Sequence, residues 1–438
     1  MQIDKTTITD LSIFLHDEEQ SVFHHLNFTR TIGGKEWLRL FLSKPLERIN
    51  QIEETQQTLQ QIISVYDKWP FIITNGTIMV IEKFYETQIN DIPAHAGLIN
   101  SLLYKIFNGP DFSIIRYSIT HFTDFVKGLH NMVELLSQQK IPAVLRIIID
   151  RINMLLNRQM MQSLLRLESG KKLSAAEILR YGYFIRRHFR QDAHELIDLY
   201  SRLDAYHSLA TACMKYQYCF PELIISDEPT FTAQQLYHPL LQTPVSYNIE
   251  LSHQQNFLFL TGANMAGKST FIKAVGVAVY LAHIGMGVPA KYMQLSLFDG
   301  LLSNIQVEDN IIKGESYFFN EVQRVRKTIE KISDGKHWLI LVDELFKGTN
   351  VQDAMKCSTV VIEGLLKMKN ALFILSTHLY EIGEALKRYP NIQFRFFETQ
   401  VQGDQLLFSY HLKEGISNDR LGYLILKREG VVSILEKL

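Results

Sequence analysis

The stretch that decides the fold is FLFLTGANMAGKST, residues 257–270. Its first four residues have the length of a buried strand, and the rest fits G-x-x-x-x-G-K-[ST] through Gly262, Gly267, Lys268 and Ser269. The glycines let the backbone wrap round phosphate groups, so that N–H groups and a helix N-terminus point at anionic oxygens. Lysine supplies charge to the β- and γ-phosphates, and the serine hydroxyl is the expected Mg²⁺ ligand. The sequence therefore predicts a nucleotide-binding α/β domain; the alternative is a glycine-bearing turn with an exposed lysine.

Two further apolar runs end in polar residues of the kind that a hydrolytic site needs. WLILV (338–342) is followed by Asp343 and Glu344, and ALFIL (371–375) by Ser-Thr-His, which ends at His378. Buried parallel strands place functional groups at their carboxyl ends. We predict that Asp343 holds Mg²⁺ through water, that Glu344 polarises the attacking water, and that His378 reaches the γ-phosphate or that water. The alternatives are acids that merely end a strand and a structural histidine.

Ser316 lies in EDNIIKGESYFFNEV (308–322), at the head of a predicted helix. An N-cap role, worth about 1 kcal/mol, is one explanation. The third residue after it is Phe319, however, so a capping box is absent. A glycine-led helix N-terminus with a serine is also suited to phosphate. We therefore predict that Ser316 contacts the nucleotide of a second subunit, which requires a homodimer.

The two halves of the chain differ in their apolar pattern. In VLRIIIDRINMLLNRQMMQSLLRL (144–167), as in most of the first half, apolar residues recur at three- and four-residue spacing, which is typical of amphipathic helices. The segment 226–248 is loop-like in composition, and the short apolar runs begin after it. We predict an all-α helical domain over 1–225, followed by an α/β P-loop NTPase domain over 226–438.

Composition and charge narrow the possible function classes. The chain has 438 residues, 46% hydrophobic and 21% charged, and a formal net charge of −1, so any nucleic-acid surface must be a local patch. Three cysteines without a CxxC pair argue against a zinc site or a disulfide framework. The chain opens without a signal-peptide pattern, and the apolar stretch 275–290 is too short and polar to span a bilayer. We expect a cytoplasmic protein with no membrane partner.

The second half resembles the MutS family of DNA mismatch-repair ATPases, a branch of the ABC-type superfamily. TGANMAGKST (261–270) is similar to the family's TGPNMGGKST, and Asn264 within it is a particular mark of that family. Four further motifs follow in the family's order: HIGMGVPA (283–290), the GES signature (314–316), DELFKGTN (343–350) and STHLYEI (376–382). The resemblance implies a MutS-type P-loop ATPase that converts ATP and water into ADP and phosphate.

The first half resembles the helical core, or lever, domain of the same family. SVFHHLNFTRTIGGKEWLRLFLSKPL (21–46) looks like its opening, and RLDAYHSLATACMKYQYCFPEL (202–223) looks like its end. The resemblance implies a truncated form, with the clamp reduced or absent and the mismatch-recognition domain missing. Phe84-Tyr85-Glu86 spells the Phe-x-Glu of that missing domain, but it lacks the preceding glycine–acid pair, and we interpret it as a chance match.

Carried over residue by residue, the resemblance implies ATP and Mg²⁺ as ligands. Mg²⁺ would be held by Ser269 and Asp343, and hydrolysis would be assisted by Glu344 and His378. The ATP-binding residues would be Gly262, Ala263, Asn264, Met265, Ala266, Gly267, Lys268, Ser269, Thr270, Ser316 acting in trans and, as a candidate at the adenine, Tyr410.

Several positions depart from the family pattern. Ala263 and Ala266 replace a proline and a glycine, which should be tolerated because neither is a fixed glycine of the motif. Phe346-Lys347 stands where the family has Gly-Arg, and Asn350 where it has serine. The resemblance implies that these three residues lie in the loop that communicates with the other subunit, so ATP-coupled communication is expected to differ.

The predicted function is a MutS-like ATPase that binds DNA as a homodimer through its ATPase domains and changes conformation like a clamp. The alternatives are a nucleotide-switched protein-binding module and an ATPase acting on branched nucleic acid or ribosomes. Arginines cluster in the helical half and are candidates for phosphate contacts, although interspersed acids also fit a solvated helix face. They are Arg151, Arg158, Arg166, Arg180, Arg186, Arg187 and Arg190.

Overall fold

The computed structural model describes residues 1–95, 97–138, 140–168, 173–305, 317–402, 405–417 and 431–435. The chain forms two compact units. The sheet unit comprises Met1–His25, Lys44–Ile52 and Tyr216–Leu438, and the helical unit comprises Leu26–Ser43 and Glu53–Lys215. Among the described residues, no helix has both the length and the apolar character needed to cross a bilayer.

Strands occur in the sheet unit and helices in both units, within the part of the chain that the structure describes. The described strands are β1 (Gln2–Ile3), β2 (Glu222–Ile224), β3 (Phe231–Leu236), β4 (Tyr247–Leu251), β5 (Phe257–Thr261), β6 (Tyr292–Ser296), β7 (Gly300–Asn304), β8 (Trp338–Asp343), β9 (Ala371–Ser376), β10 (Ile392–Gln402) and β11 (Gln405–Glu414). The described α-helices are α1 (Lys5–Asp10), α2 (Val22–His25), α3 (Ile32–Ser43), α4 (Ile49–Ser64), α5 (Asn75–Glu86), α6 (Leu98–Phe107), α7 (Gly109–Leu136), α8 (Ala143–Leu156), α9 (Gln159–Leu165), α10 (Ala175–His188), α11 (Arg190–Lys215), α12 (Lys268–Ile284), α13 (Tyr317–Ile332), α14 (Val351–Leu365), α15 (Glu381–Leu386) and α16 (Val431–Leu435). Short 3₁₀ helices occur at Glu18–Gln20 and Tyr66–Lys68.

The larger sheet of the sheet unit has the strand order β1-β7-β8-β9-β5-β10-β11. Neighbouring strands run parallel from β1 to β10, and β11 pairs antiparallel with β10. The three apolar runs identified in the sequence form β5, β8 and β9, and every residue of these strands is buried. This confirms the prediction of buried parallel strands.

The smaller sheet has the order β2-β6-β3-β4 and lies partly in a segment for which a loop was predicted. Over residues 226–248 that prediction was wrong, because Phe231–Leu236 forms β3 and Tyr247 begins β4. In β3 the side chains of Phe231, Ala233 and Leu236 are buried. The polar residues between them obscured this strand signal.

The boundary between the units differs from the predicted division at residue 225. Met1–His25 belongs to the sheet unit, because β1 extends the larger sheet beside β7. Asp10, at the end of α1, accepts hydrogen bonds from Ser303 Oγ at 2.5 Å and from the Ile305 N–H at 3.0 Å. These contacts join positions almost 300 residues apart, so no local pattern could indicate them.

Every described element of the helical unit is a helix, and a buried carboxylate fixes the start of α3. Asp204 on α11 is 4% exposed and accepts hydrogen bonds from the N–H groups of Arg30 and Thr31 at 3.0 and 2.9 Å. A Cβ added to Gly34 would lie 2.1 Å from the Asp204 carboxylate, so this close approach requires glycine. Burial raises the pKa of Asp204, and hydrogen bonds from Thr31 and Arg30 oppose the rise. The assignment of this unit as a MutS lever stays a prediction.

Candidate functional site

The three motif-bearing strands lie side by side, with β9 between β8 and β5. Asp343 at the end of β8 is in register with Ser376 at the end of β9, and Ser376 is in register with Leu260 of β5. The loops that follow these strands therefore leave the same edge of the sheet. The structure brings the predicted phosphate loop, acidic pair and histidine together.

The loop after β5 adopts backbone conformations that suit its glycines. Gly262 and Gly267 have φ values of 141° and 108°, in a region that residues with a Cβ rarely adopt. A Cβ on Gly262 would also lie 3.2 Å from the backbone oxygen of Phe397. Met265, between the two glycines, has a φ of 67° and an exposed side chain. The loop therefore passes close to β10 and leads directly into α12.

Lys268 folds back over this loop. Its side chain is only 5% exposed, and Nζ donates to the carbonyl oxygens of Gly262 at 2.9 Å and Ala263 at 3.0 Å. Burial lowers the pKa of Lys268, and the nearby carboxylates of Glu344 and Asp343 oppose that effect. The ammonium group is therefore held at the mouth of the loop, where an anionic ligand can replace the two carbonyl oxygens.

Ser269 and Asp343 meet next to the loop. Ser269 Oγ donates to Asp343 Oδ2 at 2.5 Å, and Ser376 Oγ donates to Asp343 Oδ1. Ser376 was not among the predicted site residues, although it stands in the Ser-Thr-His motif. A serine hydroxyl and a carboxylate are hard oxygen ligands, and Mg²⁺ is commonly held by one or two such groups together with substrate phosphates. The residues present therefore fit a Mg²⁺–nucleotide complex.

Glu344 is held between the side chains of His378 and Lys347. Its Oε1 lies 2.7 Å from His378 Nε2, and its Oε2 lies 3.4 Å from Lys347 Nζ. Burial opposes ionisation of this carboxyl, but the hydrogen bond and charge of His378, with the charges of Lys347 and Lys268, outweigh burial and lower the pKa of Glu344 to about 2. Glu344 also has a φ of 65°, a conformation that non-glycine residues adopt mainly where their surroundings enforce it.

Glu321, which was not among the predicted site residues, stabilises the loop after Glu344 through hydrogen bonds. It lies on α13, is 2% exposed, and accepts hydrogen bonds from the N–H groups of Lys347 and Gly348, each at 3.2 Å. Burial raises the pKa of Glu321, and these N–H groups partly offset the rise. Phe346 in the same loop has a φ of 60°. The Glu321 carboxylate therefore restrains a loop that contains two left-handed non-glycine residues.

An open cleft of about 440 Å³ adjoins the phosphate loop. Its lining includes P-loop residues, among them Lys268 and Ser269, together with Glu344. The cleft is also lined by Leu241, Thr243, Val245, Tyr247 and Tyr410. Tyr410, the predicted adenine neighbour, thus lies at the cleft, and the apolar side chains beside it offer a surface for a flat ring.

Among the other predicted positions, Ala263 and Ala266 are buried, whereas Asn264 is exposed at the cleft. Asn350 accepts a hydrogen bond from the Asp353 N–H at 3.0 Å and caps α14, so its side-chain oxygen takes a role that serine also performs. Ser316 and the rest of the GES signature lie outside the described residues, and their role stays a prediction.

The arginine cluster of the helical unit is largely engaged with partners in that unit. Arg151 binds Glu195, Arg158 binds Asp192 and Arg187 binds Asp91, with shortest distances of 2.5 to 2.6 Å. Arg186 donates to the carbonyl oxygens of Phe84 and Thr87. Burial lowers the pKa of Arg186, with the neighbouring arginines contributing. These contacts favour the alternative of a structural and solvated helix face over a surface for phosphates.

The Phe84-Tyr85-Glu86 match lies on α5. Phe84 and Tyr85 are 3% and 7% exposed, and the Tyr85 hydroxyl donates to the Ile185 carbonyl oxygen at 3.4 Å. A ring that inserts between base pairs has to project from the surface. The structure therefore supports the interpretation that this tripeptide matches by chance.

Comparison with known proteins gives one family and a set of related chains. Residues 258–435 match the sequence model described as MutS domain V. Over 238 residues, or 52% of this chain, the sequence is 31% identical to "MutS protein homolog 4" of Homo sapiens, covering 25% of that protein. It is also 30% identical to "DNA mismatch repair protein MutS" of Pseudothermotoga lettingae, over 52% of this chain and 28% of that protein. A third relative, the protein of that name in Carboxydothermus hydrogenoformans, is 28% identical over 58% of this chain and 30% of its own length. The matched region thus spans less than a third of each of these relatives.

Proposed function

Residues 258–435 make this chain a member of the MutS family, and from that premise we propose that the sheet unit binds ATP and hydrolyses it to ADP and phosphate. One observation carries the proposal. At a single sheet edge, the Ser269–Asp343 pair lies beside the P-loop lysine, and the carboxylate of Glu344 is paired with His378. Phosphate binding and activation of water require these two sets of groups next to each other.

Binding uses the cleft and the phosphate loop. The adenine ring would lie against Tyr410 and the apolar side chains that line the cleft, and the phosphates would follow the loop toward Lys268. The ammonium group of Lys268 would exchange its two carbonyl acceptors for phosphate oxygens. Ser269 and Asp343 would hold Mg²⁺, which neutralises part of the phosphate charge when bound.

Hydrolysis depends on an ionised Glu344. With its pKa lowered to about 2, the carboxylate is ready at neutral pH to orient a water molecule and accept its proton as the water attacks the γ-phosphate. His378 holds Oε1 of this carboxylate, and its Nε2 lies 3.4 Å from Lys268 Nζ. His378 thus links the general base to the phosphate-binding lysine and positions both.

Two further parts of the proposal rest on the family. We assign a homodimer through the ATPase domains, in which Ser316 of one chain contacts the nucleotide of the other. We also assign DNA as the ligand whose binding changes with nucleotide state, since two of the relatives above are named mismatch-repair proteins. A nucleotide-switched module that binds a protein partner is the competing function, because the helical arginines are largely engaged in contacts within their own unit.

A panel of DNA forms with and without ATP separates these functions. We expect at least one of homoduplex, mismatched and branched DNA to bind at low salt, with an affinity that falls as salt rises and changes on addition of ATP. Fluorescence anisotropy measures both effects. A Lys268→Ala variant should keep the DNA affinity and lose its response to ATP. If no form binds, DNA is excluded and the protein-binding function remains.

Replacing His378 with glutamine should make hydrolysis more sensitive to acid. The substitution removes the imidazole whose hydrogen bond and charge contribute most to lowering the pKa of Glu344, whereas burial, which raises this pKa, and the charges of Lys347 and Lys268, which lower it, remain. Protonation of Glu344 would then begin nearer its ordinary value of 4.5, so kcat should fall at a higher pH than in the parent protein. The kcat–pH profile measures this shift. His253→Gln is the control, because His253 precedes the opposite end of β5. If the maximal kcat falls but kcat still declines at the same acidic pH as in the parent protein, the role assigned to His378 is contradicted.

A further inference from the structure

Helix α6 of the helical unit exposes its large apolar side chains and buries two of its polar ones. Its buried residues are Ser101 and Tyr104, and the Tyr104 hydroxyl donates to the Asn90 carbonyl oxygen at 3.2 Å. Six large apolar side chains on this helix are between 46% and 83% exposed: Leu98, Ile99, Leu102, Leu103, Ile106 and Phe107. Helix α6 therefore packs on its own unit through the face that amphipathic helices usually turn to water.

The six side chains form one continuous surface, which we call the α6 face. At 3.6 residues per turn they all fall within one half of the helix circumference, with Ser101 and Tyr104 in the other half. Their exposed fractions amount to about four fully exposed large side chains, or roughly 700 Å². The largest apolar patch on a monomeric protein is typically about 300–600 Å², so a surface of this size indicates a binding partner.

Charge and polarity narrow the choice of partner. Lys105 is the only charged residue of α6, and it lies outside the α6 face. Helices that lie on membranes carry several lysines or arginines on a polar face exposed to water. On α6 the polar residues Ser101 and Tyr104 are instead buried, and Lys105 is a single exposed cation. A partner rich in charge would have nothing to pair with, so an equally apolar and uncharged surface is the best match.

We propose that the α6 face binds the α6 face of a second copy of this chain. In a two-fold dimer a surface meets itself, and an uncharged apolar helix face is complementary to itself without matched ion pairs. Its area of roughly 700 Å² is close to the approximately 800 Å² that each partner buries in a stable interface. The central stripe of Ile99, Leu102, Leu103 and Ile106 has the three- and four-residue spacing by which two helices interdigitate.

This association goes beyond the proposed ATP-dependent dimer. It lies in the helical unit and involves no group of the phosphate loop, so it should persist without nucleotide. The ATPase-domain dimer, in which Ser316 of one chain contacts the nucleotide of the other, should instead respond to ATP and lose that response in Lys268→Ala. The two contacts can therefore fail independently, and the α6 association is best measured in the Lys268→Ala chain without ATP.

Sedimentation velocity of the full chain over a concentration series tests the proposal. The parent protein and Lys268→Ala should both sediment as dimers without nucleotide. Leu102→Glu and Ile106→Glu should shift the species to the monomer and weaken association at least about 100-fold, since two-fold symmetry buries two unpaired carboxylates per dimer. Asn100→Glu, which places the same charge outside the α6 face, should remain dimeric. Circular dichroism should be unchanged in all three variants.

Three results would overturn the proposal. A parent chain that stays monomeric at every concentration excludes self-association through α6. Equal dissociation by Asn100→Glu and Leu102→Glu would show that the α6 face is not the contact. A monomeric parent that binds neutral phosphatidylcholine vesicles or another protein, with loss of that binding in Leu102→Glu, would assign the α6 face to that partner.

Discussion

Replacing Glu344 with glutamine is expected to lower the rate of ATP hydrolysis by about 10²–10⁴-fold, the range that a positioned general base contributes, while ATP still binds. Glutamine keeps the size of the side chain but cannot accept a proton from water at neutral pH. The proposed phosphate-binding groups Lys268 and Ser269 are untouched. Single-turnover hydrolysis and equilibrium binding of ATP, measured separately, reveal the split between catalysis and affinity.

The control for this substitution is Glu384→Gln. Glu384 is an exposed residue of α15 that pairs with Lys387 at 2.8 Å, and it does not belong to the lining of the cleft beside the phosphate loop. Its replacement should leave kcat and ATP affinity unchanged. Unchanged turnover in Glu344→Gln would remove Glu344 from the mechanism and, with it, the assignment of the whole acidic pair.

Replacing Glu321 with alanine is expected to lower kcat at least about tenfold with little change in ATP affinity. The substitution leaves the N–H groups of Lys347 and Gly348 without their buried acceptor, which costs about 1–3 kcal/mol for each unsatisfied group. The loop can then relax from the left-handed conformations at Glu344 and Phe346. Displacement of the Glu344 carboxylate by even about 1 Å is enough to lose a large part of its catalytic effect.

A matched control for Glu321 lies on the same helix. Glu330 is exposed and pairs with Arg326 at 2.8 Å, so Glu330→Ala removes a carboxylate from α13 without touching the loop. Measurement of kcat, the ATP dissociation constant and the thermal midpoint of all three proteins separates positioning from general support. Parallel losses of kcat and ATP affinity that follow a fall in the thermal midpoint would mean that Glu321 supports only the fold. A Glu321→Gln variant, which keeps one acceptor oxygen, should recover part of the rate.

Much of the site was predictable because its motifs are contiguous in the chain. The P-loop spacing, the Asp343-Glu344 pair and His378 each follow a short apolar run, and the structure places these runs as β5, β8 and β9. Strand ends in a parallel sheet share an edge, so the meeting of these groups also followed from the pattern. The chemical roles of the individual residues stay proposals that the experiments above test.

The supporting groups were not predictable in this way. Glu321 stands in an amphipathic helix whose sequence resembles any solvated one, and its contact with the loop after Glu344 depends on how α13 packs on the larger sheet. Tyr410 was a candidate only through the family resemblance, because it lies on a strand of the hairpin β10–β11 and reaches the cleft through the position of that hairpin beside β5.

The sequence by itself determined the strands that carry the phosphate loop, the acidic pair and the histidine, because spacing and apolar runs are local properties of the chain. Tertiary structure alone decided that Met1–His25 belongs to the sheet unit, that Glu321 restrains the loop after Glu344, and that α6 turns its apolar side outward. The physical reason is the same in each case. These features depend on which distant segments become neighbours, and burial and hydrogen bonding between distant segments leave no periodic signal in either one.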